Sequence, residues 1–469
     1  MKLVDSISKE KKEFIPKEKG KVNIYLCGPT TYDDAHLGHA RSSVCFDLLI
    51  RVFKAKGYNL CFVRNYTDID DKILKKMQEK NQSLEQLSEF YIKSYEEDMR
   101  ALNVLEPDHK PRATHFIKDM IKLIQKLYNE NYAYILEDGV YFDTSKDEKY
   151  FSLSKRDIFQ NQSRLENEVC KKNESDFVLW KFDEKFYDSP FGKGRPGWHS
   201  ECIAMIQSIF EDKLDIHAGG IDLLFPHHEN EATQCRCAYN YEICNYWLHN
   251  GFVKINNEKM SKSLNNSFFI KDALKLFPAE VLRIYLLSTH YRAHFNYSLE
   301  DLQMSKKRLD KFYRLKKRIA LQKCDNKFEN EKFQSKISQE ILFVLEDDLN
   351  ISKALSLLDE FIVNVNLKLD KDGKNKVFKQ ELSRSLKELC LIFGFGFLDP
   401  SEYFQFGVSL EERKFIEEQI FLRNEAKKNK DFVKADEIRA NLLKHNIILM
   451  DTQNGTLWEK NNAEKNDLN

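Results

Sequence analysis

The chain has 469 residues, 32% of them charged and 42% hydrophobic, the composition of a soluble globular protein of several domains and not of a disordered or membrane-embedded one. Lysine plus arginine and aspartate plus glutamate number 74 each, so the whole molecule exerts no general pull on a phosphate backbone, and nucleic acid has to be met by local patches. The charged N-terminus MKLVDSISKEKKEF has no apolar signal core and nothing resembles a membrane span, which predicts a cytoplasmic protein; ten cysteines spread over this length predict thiols, with metal binding for any that matter.

Residues 22–27, VNIYLC, alternate apolar and polar positions and predict a strand ending at Gly28-Pro29. HLGHARSSVCFDLLIRVFKAKG then sets Val44, Leu48, Leu49 and Phe53 at helical spacing with Gly57 as a stop, and NLCFVRNY predicts a second strand. Strand, helix, strand suggests a parallel βαβ unit with ligands at the carboxyl ends of its strands, which makes Cys27 to His39 a candidate site. From about Leu105 the pattern changes. A helix with Phe116, Met120, Ile124 and Leu127 on one face leads into AYILEDGVYFDT, a predicted hairpin turning at Asp138-Gly139, and the whole reads as an insertion. The α/β character returns in GRPGWHSEC and DIHAGGIDLLFPHHENE.

Beyond Ser298 the periodicity is helical, with Leu302, Leu309, Phe312, Leu315 and Ile319 in one segment and Ile341, Leu345 and Leu349 in another, separated by the polar stretch KCDNKFENEKFQSK. The final module predicts a helix through DFVKADEIRANLLKHN, then a strand, a turn at TQNG and a strand. The expected architecture is therefore α/β: a Rossmann-type parallel-sheet domain over 1–110 and 190–242, split by a connective insertion over 111–189. A linker over 243–308, a helical bundle over 309–400 and a small α+β domain over 405–469 follow.

Chemistry concentrates in a few places. On a helix His227 and Glu231 share a face and can converge on one ion, while His228 is expected to point elsewhere. A tight metal site needs about four ligands, and Cys27 and Cys202 can both reach one edge of a parallel sheet. Spacing alone does not select them: Cys235 continues the His227, Glu231 series equally well, Cys237 and Cys244 are near, and HHENE can also be read as a solvated helix start. HLGH, His36 to His39, lies where the first strand enters its helix, and Gly38 allows close approach of a phosphate to helix N-terminal amides. KMSKS, Lys259 to Ser263, reads by itself as an exposed basic loop. Together, two imidazoles and two lysines can neutralise charge growing on phosphates while a carboxylate attacks the α-phosphorus.

HLGH followed far downstream by KMSKS resembles the class I aminoacyl-tRNA synthetases. LCGPTTYDDAHLGHAR, RNYTDIDDKI, DFVLWK, GRPGWHSEC, DIHAGGIDLLFPHHENE, EKMSKSLNN, DFVKADEIRANL and DTQNGTLW are similar to the cysteinyl-tRNA synthetase family, in order, over nearly the whole chain. The resemblance implies one Zn2+ per chain held by Cys27, Cys202, His227 and Glu231, selecting the thiol of L-cysteine against serine and alanine without an editing domain. It implies ATP with Mg2+ as substrate, catalysis by His36, His39, Lys259 and Lys262, and ATP contacts from Gly38, Asp222, Met260, Ser261 and Ser263 as well. Cys27, Gly28, Thr67, Trp198 and His217 are implied at the amino acid, and Arg439, Asp451 and Trp458 at tRNA(Cys), with basic residues around Lys434 on its phosphates. A monomer is the family expectation. Ala218 departs from the family phrase, which has glycine there, and raises the question of a positive φ. Two other readings are an ATP-dependent ligase joining cysteine to a small amine, which has no use for the C-terminal module, and a non-catalytic RNA-binding protein, which has no use for HLGH with KMSKS.

Overall fold

Val22, Ile24, Tyr25 and Leu26 are all buried, so the strand Lys21–Leu26 needs cover on both faces, which an internal strand of a parallel sheet obtains from crossover helices. The computed structural model describes residues 1–155, 171–255, 258–259, 268–328, 333–452 and 455–460. In it Lys21–Leu26 pairs in parallel with Asn59–Arg64 on one side and with Leu214–Gly220 on the other, and Cys244–Asn250 adds in parallel outside Leu214–Gly220. The helix Leu37–Ala55 makes the crossover between the first two strands, burying Val44, Leu48, Leu49 and Phe53 as their spacing predicts, and the chain leaves it through Gly57 at φ +81°. The expected α/β architecture is the one observed. The sheet also takes in residues beyond 242, where the sequence pattern ends that domain, because the short strand Cys244–Asn250 is set by pairing and carries no marked periodicity.

Between Arg64 and Leu214 the chain builds the helices Asp71–Lys80, Leu84–Ala101 and Ile117–Asn129 and an antiparallel sheet of Ala133–Leu136, Gly139–Phe142, Phe177–Tyr187 and Gly194–Pro196. Its hairpin turns at Glu137-Asp138, with Leu136 opposite Gly139, one residue earlier than the sequence suggests. After the parallel sheet, Val253–Ile255 pairs with Glu258–Lys259 and with Phe295–Tyr297. The helices Leu299–Arg318, Lys336–Leu345, Ile351–Asp372 and Lys376–Phe393 follow. One apolar core runs without a break from Leu3 through the helix Leu37–Ala55 into this bundle as far as Phe404. The last module is different: helices Leu410–Lys428 and Phe432–Lys444 and the hairpin Ile447–Thr452 with Gly455–Lys460 enclose a small core of their own, made by Ile416, Leu442, Ile447, Leu449 and Trp458.

A buried ionic joint ties the HLGH-bearing helix to the bundle. Asp47, on that helix, accepts from Arg51 Nε at 2.6 Å and from the guanidinium of Arg283, and its other oxygen takes the Leu105 amide at 2.7 Å. Arg51 also donates to the Leu391 carbonyl at 2.8 Å, and Arg283 to the Phe393 and Leu102 carbonyls at 2.8 and 2.9 Å. Burial works against the Asp47 carboxylate, but the two guanidinium groups outweigh it and hold its pKa below the usual range. Removing the shared anion leaves two cations buried without a counter-charge. Asp47→Ala is accordingly expected to cost about 3–5 kcal/mol of stability, read as a lowered urea midpoint by tryptophan fluorescence.

Candidate active site and metal centre

A cleft of about 270 Å³ opens at the carboxyl ends of the parallel strands, lined by Cys27, Gly28, His36, Gly38, His39, Trp198 and Asp222 among others. The loop after the first strand enters it at Gly28, whose N–H donates to Asn65 Oδ1 at 2.8 Å; a Cβ built there would stand 1.7 Å from the Asn65 carbonyl oxygen, so only glycine fits. At the helix N-terminus His36 Nδ1 accepts from the Gly38 amide at 3.1 Å and His39 Nδ1 accepts from the His36 amide at 3.2 Å, a capping box built from two imidazoles. The rings stack at 3.9 Å. Because each Nδ1 accepts, each ring is neutral with its proton on Nε2, which makes both Nε2 atoms donors. The same helix end is tied to the segment after KMSKS: the Leu37 amide donates to the Phe268 carbonyl at 3.1 Å and the Ile270 amide to the Ala35 carbonyl at 3.0 Å. Lys259 belongs to a strand paired with Lys254, but its side chain, and Met260, Ser261, Lys262 and Ser263, lie outside the described residues.

The four expected metal ligands meet around Cys27, the one of them that lines the cleft. Cys27 Sγ stands 3.8 Å from Cys202 Sγ and 3.8 Å from Glu231 Oε1, Cys202 Sγ is 3.6 Å from His227 Nε2, and His227 Nε2 is 2.7 Å from Glu231 Oε1. A tetrahedral zinc-type centre with ordinary bond lengths has edges of about 3.8 Å between two sulfurs, 3.6 Å between sulfur and nitrogen and 3.4 Å between nitrogen and oxygen. The sulfur edges match a metal-sized tetrahedron, and the shorter His227–Glu231 edge has the length of a direct hydrogen bond. Burial pushes the Cys27 thiol up to about 12, and burial together with Cys27 raises Cys202 well above its ordinary value. Burial disfavours the charged forms of His227 and Glu231, but each outweighs it for the other: His227 is raised to about 10, with help from Cys202, and Glu231, also facing His217, is held well below the carboxylate range. The cluster is thus an acceptor set filled by protons, compatible with a metal cation that replaces them.

His228 does not point away. Its Nε2 lies 3.3 Å from Cys27 Sγ, and Cys27, His217, His228 and Glu231 form a second possible donor group sharing two members with the first. Phe225 leaves the helical path at φ −141° and ψ 133°, and His228, at φ −68° and ψ −32°, enters the α-helix Glu229–Tyr239 with its ring on Cys27 while His227 faces Cys202 and Glu231. His228 Nδ1 in turn meets His249 Nε2 at 2.8 Å, and His249 Nδ1 meets Ser6 Oγ at 2.8 Å. On the other flank Trp198 stacks on His227 at 4.1 Å and His199 Nδ1 faces His227 Nδ1 at 3.1 Å, with burial and His227 lowering His199 to about 3. Cys235, Cys237 and Cys244 join neither donor group among the described residues; they are buried in the apolar core beneath.

His217 Nε2 meets Glu231 Oε2 at 2.6 Å and its ring stacks on Trp247 at 4.4 Å. Thr67 is buried and spends its hydroxyl proton on Glu201 Oε2 at 2.7 Å, which leaves its oxygen an acceptor. Ala218 has no positive φ: it is a buried strand residue opposite Leu26 and Leu248, so its Cβ enters the core without strain, and the close approach falls on Gly219, where a Cβ would stand 2.8 Å from the His228 ring. His199, His228, His249, Asn65 and Glu201 are absent from the sequence-derived site. GRPGWHSEC marks the region of His199 and Glu201, but His249 reaches the cluster through parallel register with Gly219, which no spacing reveals.

The C-terminal residues named for tRNA have these surroundings. Trp458 is 6% exposed and forms the floor of the module's core, so its indole is committed to packing. Asp451 is chelated by Arg423 Nη1 and Nη2 at 2.8 Å each, with Lys427 Nζ at 2.9 Å, and these bonds pull its pKa far down. Among the described residues Arg439 Nη2 reaches the Leu449 carbonyl, at 3.4 Å.

The model of the tRNA synthetases class I (C) catalytic domain matches residues 13–307. Among solved structures, the Mycobacterium tuberculosis methionyl-tRNA synthetase bound to methionyl-adenylate superposes with a TM-score of 0.55 at 12% identity, covering 80% of this chain and 89% of that one. The LeuRS of an Agrobacterium radiobacter ternary complex gives 0.56 at 12% identity, covering 81% and 84%. Fold and family model define a class I tRNA synthetase. Curated relatives narrow this: a cysteine–tRNA ligase of Campylobacter lari is 68% identical over 98% of this chain and all of its own length, and one of Campylobacter jejuni is 66% identical over 99% and all of its own. The chain belongs to the cysteine–tRNA ligase family of class I synthetases.

The two donor groups differ in sulfur count. X-ray absorption of the zinc-loaded protein is expected to show two sulfur neighbours, from Cys27 and Cys202; one sulfur would favour the group with His217 and His228. Because bound thiols must shed protons, zinc affinity is expected to fall as pH falls, measured by competition with a chelator of known pH dependence.

Proposed function

We propose that the chain activates L-cysteine with ATP, releasing pyrophosphate, and passes the cysteinyl group to the 3′-terminal adenosine of tRNA(Cys). The observation that carries this reading is the buried Cys27, Cys202, His227, Glu231 tetrad, whose Cys27 lines the same cleft as HLGH. It agrees with the activity in the names of relatives matched over almost the full chain. When bound there, one Zn2+ supplies a thiophilic contact that a substrate sulfur satisfies and a serine hydroxyl matches badly. Trp198 and His217 wall that contact, with Gly28 leaving room for the backbone of the amino acid and Thr67 as an acceptor behind it.

The cysteine carboxylate is already ionised and needs no base to attack the α-phosphorus, so this step depends on position and on charge neutralisation. His36 and His39 donate from Nε2 to ATP phosphates, Gly38 keeps that helix end open to them, and Asp222 takes the ribose. Mg2+ accompanies ATP. Lys259 and Lys262 of KMSKS, with Met260, Ser261 and Ser263, complete the phosphate contacts. Arg439 and Asp451 belong to a tRNA-facing module over 405–469, following a catalytic domain over 1–110 and 190–242, an insertion over 111–189, a linker over 243–308 and a bundle over 309–400. No helix among the described residues is long and apolar enough to cross a membrane. The working unit is a cytoplasmic monomer.

The test is pyrophosphate exchange. Cysteine is expected to support exchange with a kcat/KM at least about 100-fold above that for serine, and Lys262→Ala to lower the cysteine rate by about 100-fold. Equal exchange with both amino acids would contradict the thiol selector.

A further inference from the structure

Arg64 ends the strand Asn59–Arg64 at the rim where the cleft opens, and it is 3% exposed. Its Nε and Nη1 are buried and have no hydrogen-bond partner among the described residues. The other buried arginines each make hydrogen bonds, although Nε of Arg41 and of Arg423 also lacks a partner: Arg51 and Arg283 share Asp47, Arg423 holds Asp451, and Arg41 donates to the carbonyls of Leu286 and His290. Among the described residues the guanidinium of Arg64 has no hydrogen bond and no ion pair; it lies against the ring of Tyr95, with Cζ 5.1 Å from the centroid. Such a contact offsets part of the cost of burying a cation, and it satisfies no N–H donor.

The surroundings of Arg64 say what the missing partner is. A Cβ built on Gly28 would stand 3.4 Å from Arg64 Cγ, so the stem runs under the loop that follows Cys27. On its other side Tyr95 bonds Ser43 through its hydroxyl at 2.8 Å and meets the edge of His39 at 6.4 Å between centroids. Gly28, His39, Ser43 and Tyr95 all line the cleft. The unpaired cation therefore sits behind the stretch of wall between the Cys27 cluster and the HLGH pair. If the amino acid is held at the first and ATP phosphates at the second, as proposed above, the substrate carboxylate and the α-phosphoryl oxygens meet along that stretch.

We propose that Arg64 is the oxyanion-binding residue of the activation step, receiving with its planar fork the carboxylate and α-phosphate oxygens where they join. No proton is transferred; the role is to pair negative charge as the carboxylate oxygen bonds to phosphorus and pyrophosphate leaves. The inference rests on the function proposed above.

The test uses the full-length, zinc-loaded protein with Arg64→Met and Arg64→Lys. The methionine variant is expected to lose about 100-fold or more in kcat/KM for cysteine-dependent pyrophosphate exchange, while its Tm without substrates equals or exceeds wild type because an unpaired buried charge has gone. The lysine variant keeps the charge without the fork and is expected about 10-fold below wild type. Binding of ATP alone and of cysteine alone separates the two oxyanions: weakened ATP binding assigns the α-phosphate, weakened cysteine binding the carboxylate, and loss of exchange with neither weakened assigns the joined state. Exchange within about threefold of wild type in either variant overturns the inference, as does a Tm lowered in step with activity. Wild-type protein that shows no exchange at all would instead sink the functional reading beneath it.

Discussion

The amide of Cys27 donates to the carbonyl of Ala218 at 3.0 Å, and the functional site depends on that one parallel contact. It sets the end of the first strand against the strand that leads to His227 and Glu231, closing a separation of 204 residues between Cys27 and Glu231. In a parallel sheet every strand ends at the same edge, so residues placed just after each strand converge without any local motif joining them. The cluster, the HLGH helix end and the unpaired guanidinium of Arg64 all lie along that edge. A backbone shift there would disperse them together.

Electrostatics at this edge follow from burial. Glu231 has no exposure and is flanked by His217 and His227, so its charge is compensated on two sides while the thiols of Cys27 and Cys202 stay protonated. A site of this kind is held ready by hydrogen bonds that occupy the positions a cation takes. The outer imidazoles of His199 and His249, both lowered by burial, stay neutral and buttress the inner ones without adding charge. HLGH achieves neutrality differently, by turning each Nδ1 inward to a backbone amide. Two cationic rings stacked at 3.9 Å would repel; two neutral ones stack and still offer donors to phosphate.

The sheet is coupled to the rest of the chain by a core that does not stop at its edge. Asp47 lies on the helix that HLGH caps, and through Arg51 and Arg283 it grips the carbonyls of Leu391 and Phe393 at the end of the bundle. The C-terminal module is a contrasting case, with its own small core around Trp458. Trp458 is buried there, and exposed charge is carried both by the helices and by Asp451 on the hairpin.

Periodicity made the α/β pattern, the crossover helix through Val44 to Phe53, the bundle helices and the final hairpin legible, because each is a local repeat of burial along one segment. The motifs HLGH and KMSKS and the phrases around Cys27, Cys202 and HHENE likewise carried the family and its candidate ligands. What no local pattern contained was decided by tertiary structure: that His228 faces Cys27 and Cys235 does not, that Cys244–Asn250 completes the sheet, that Ala218 is an ordinary strand residue and that Trp458 is core. These are outcomes of strand register and of side-chain contacts between segments far apart in the chain. Sequence alone thus determined the elements and the chemistry available to them, while pairing across the sheet decided which side chains meet, because direction in space is set by the partner strand and not by the neighbouring residue.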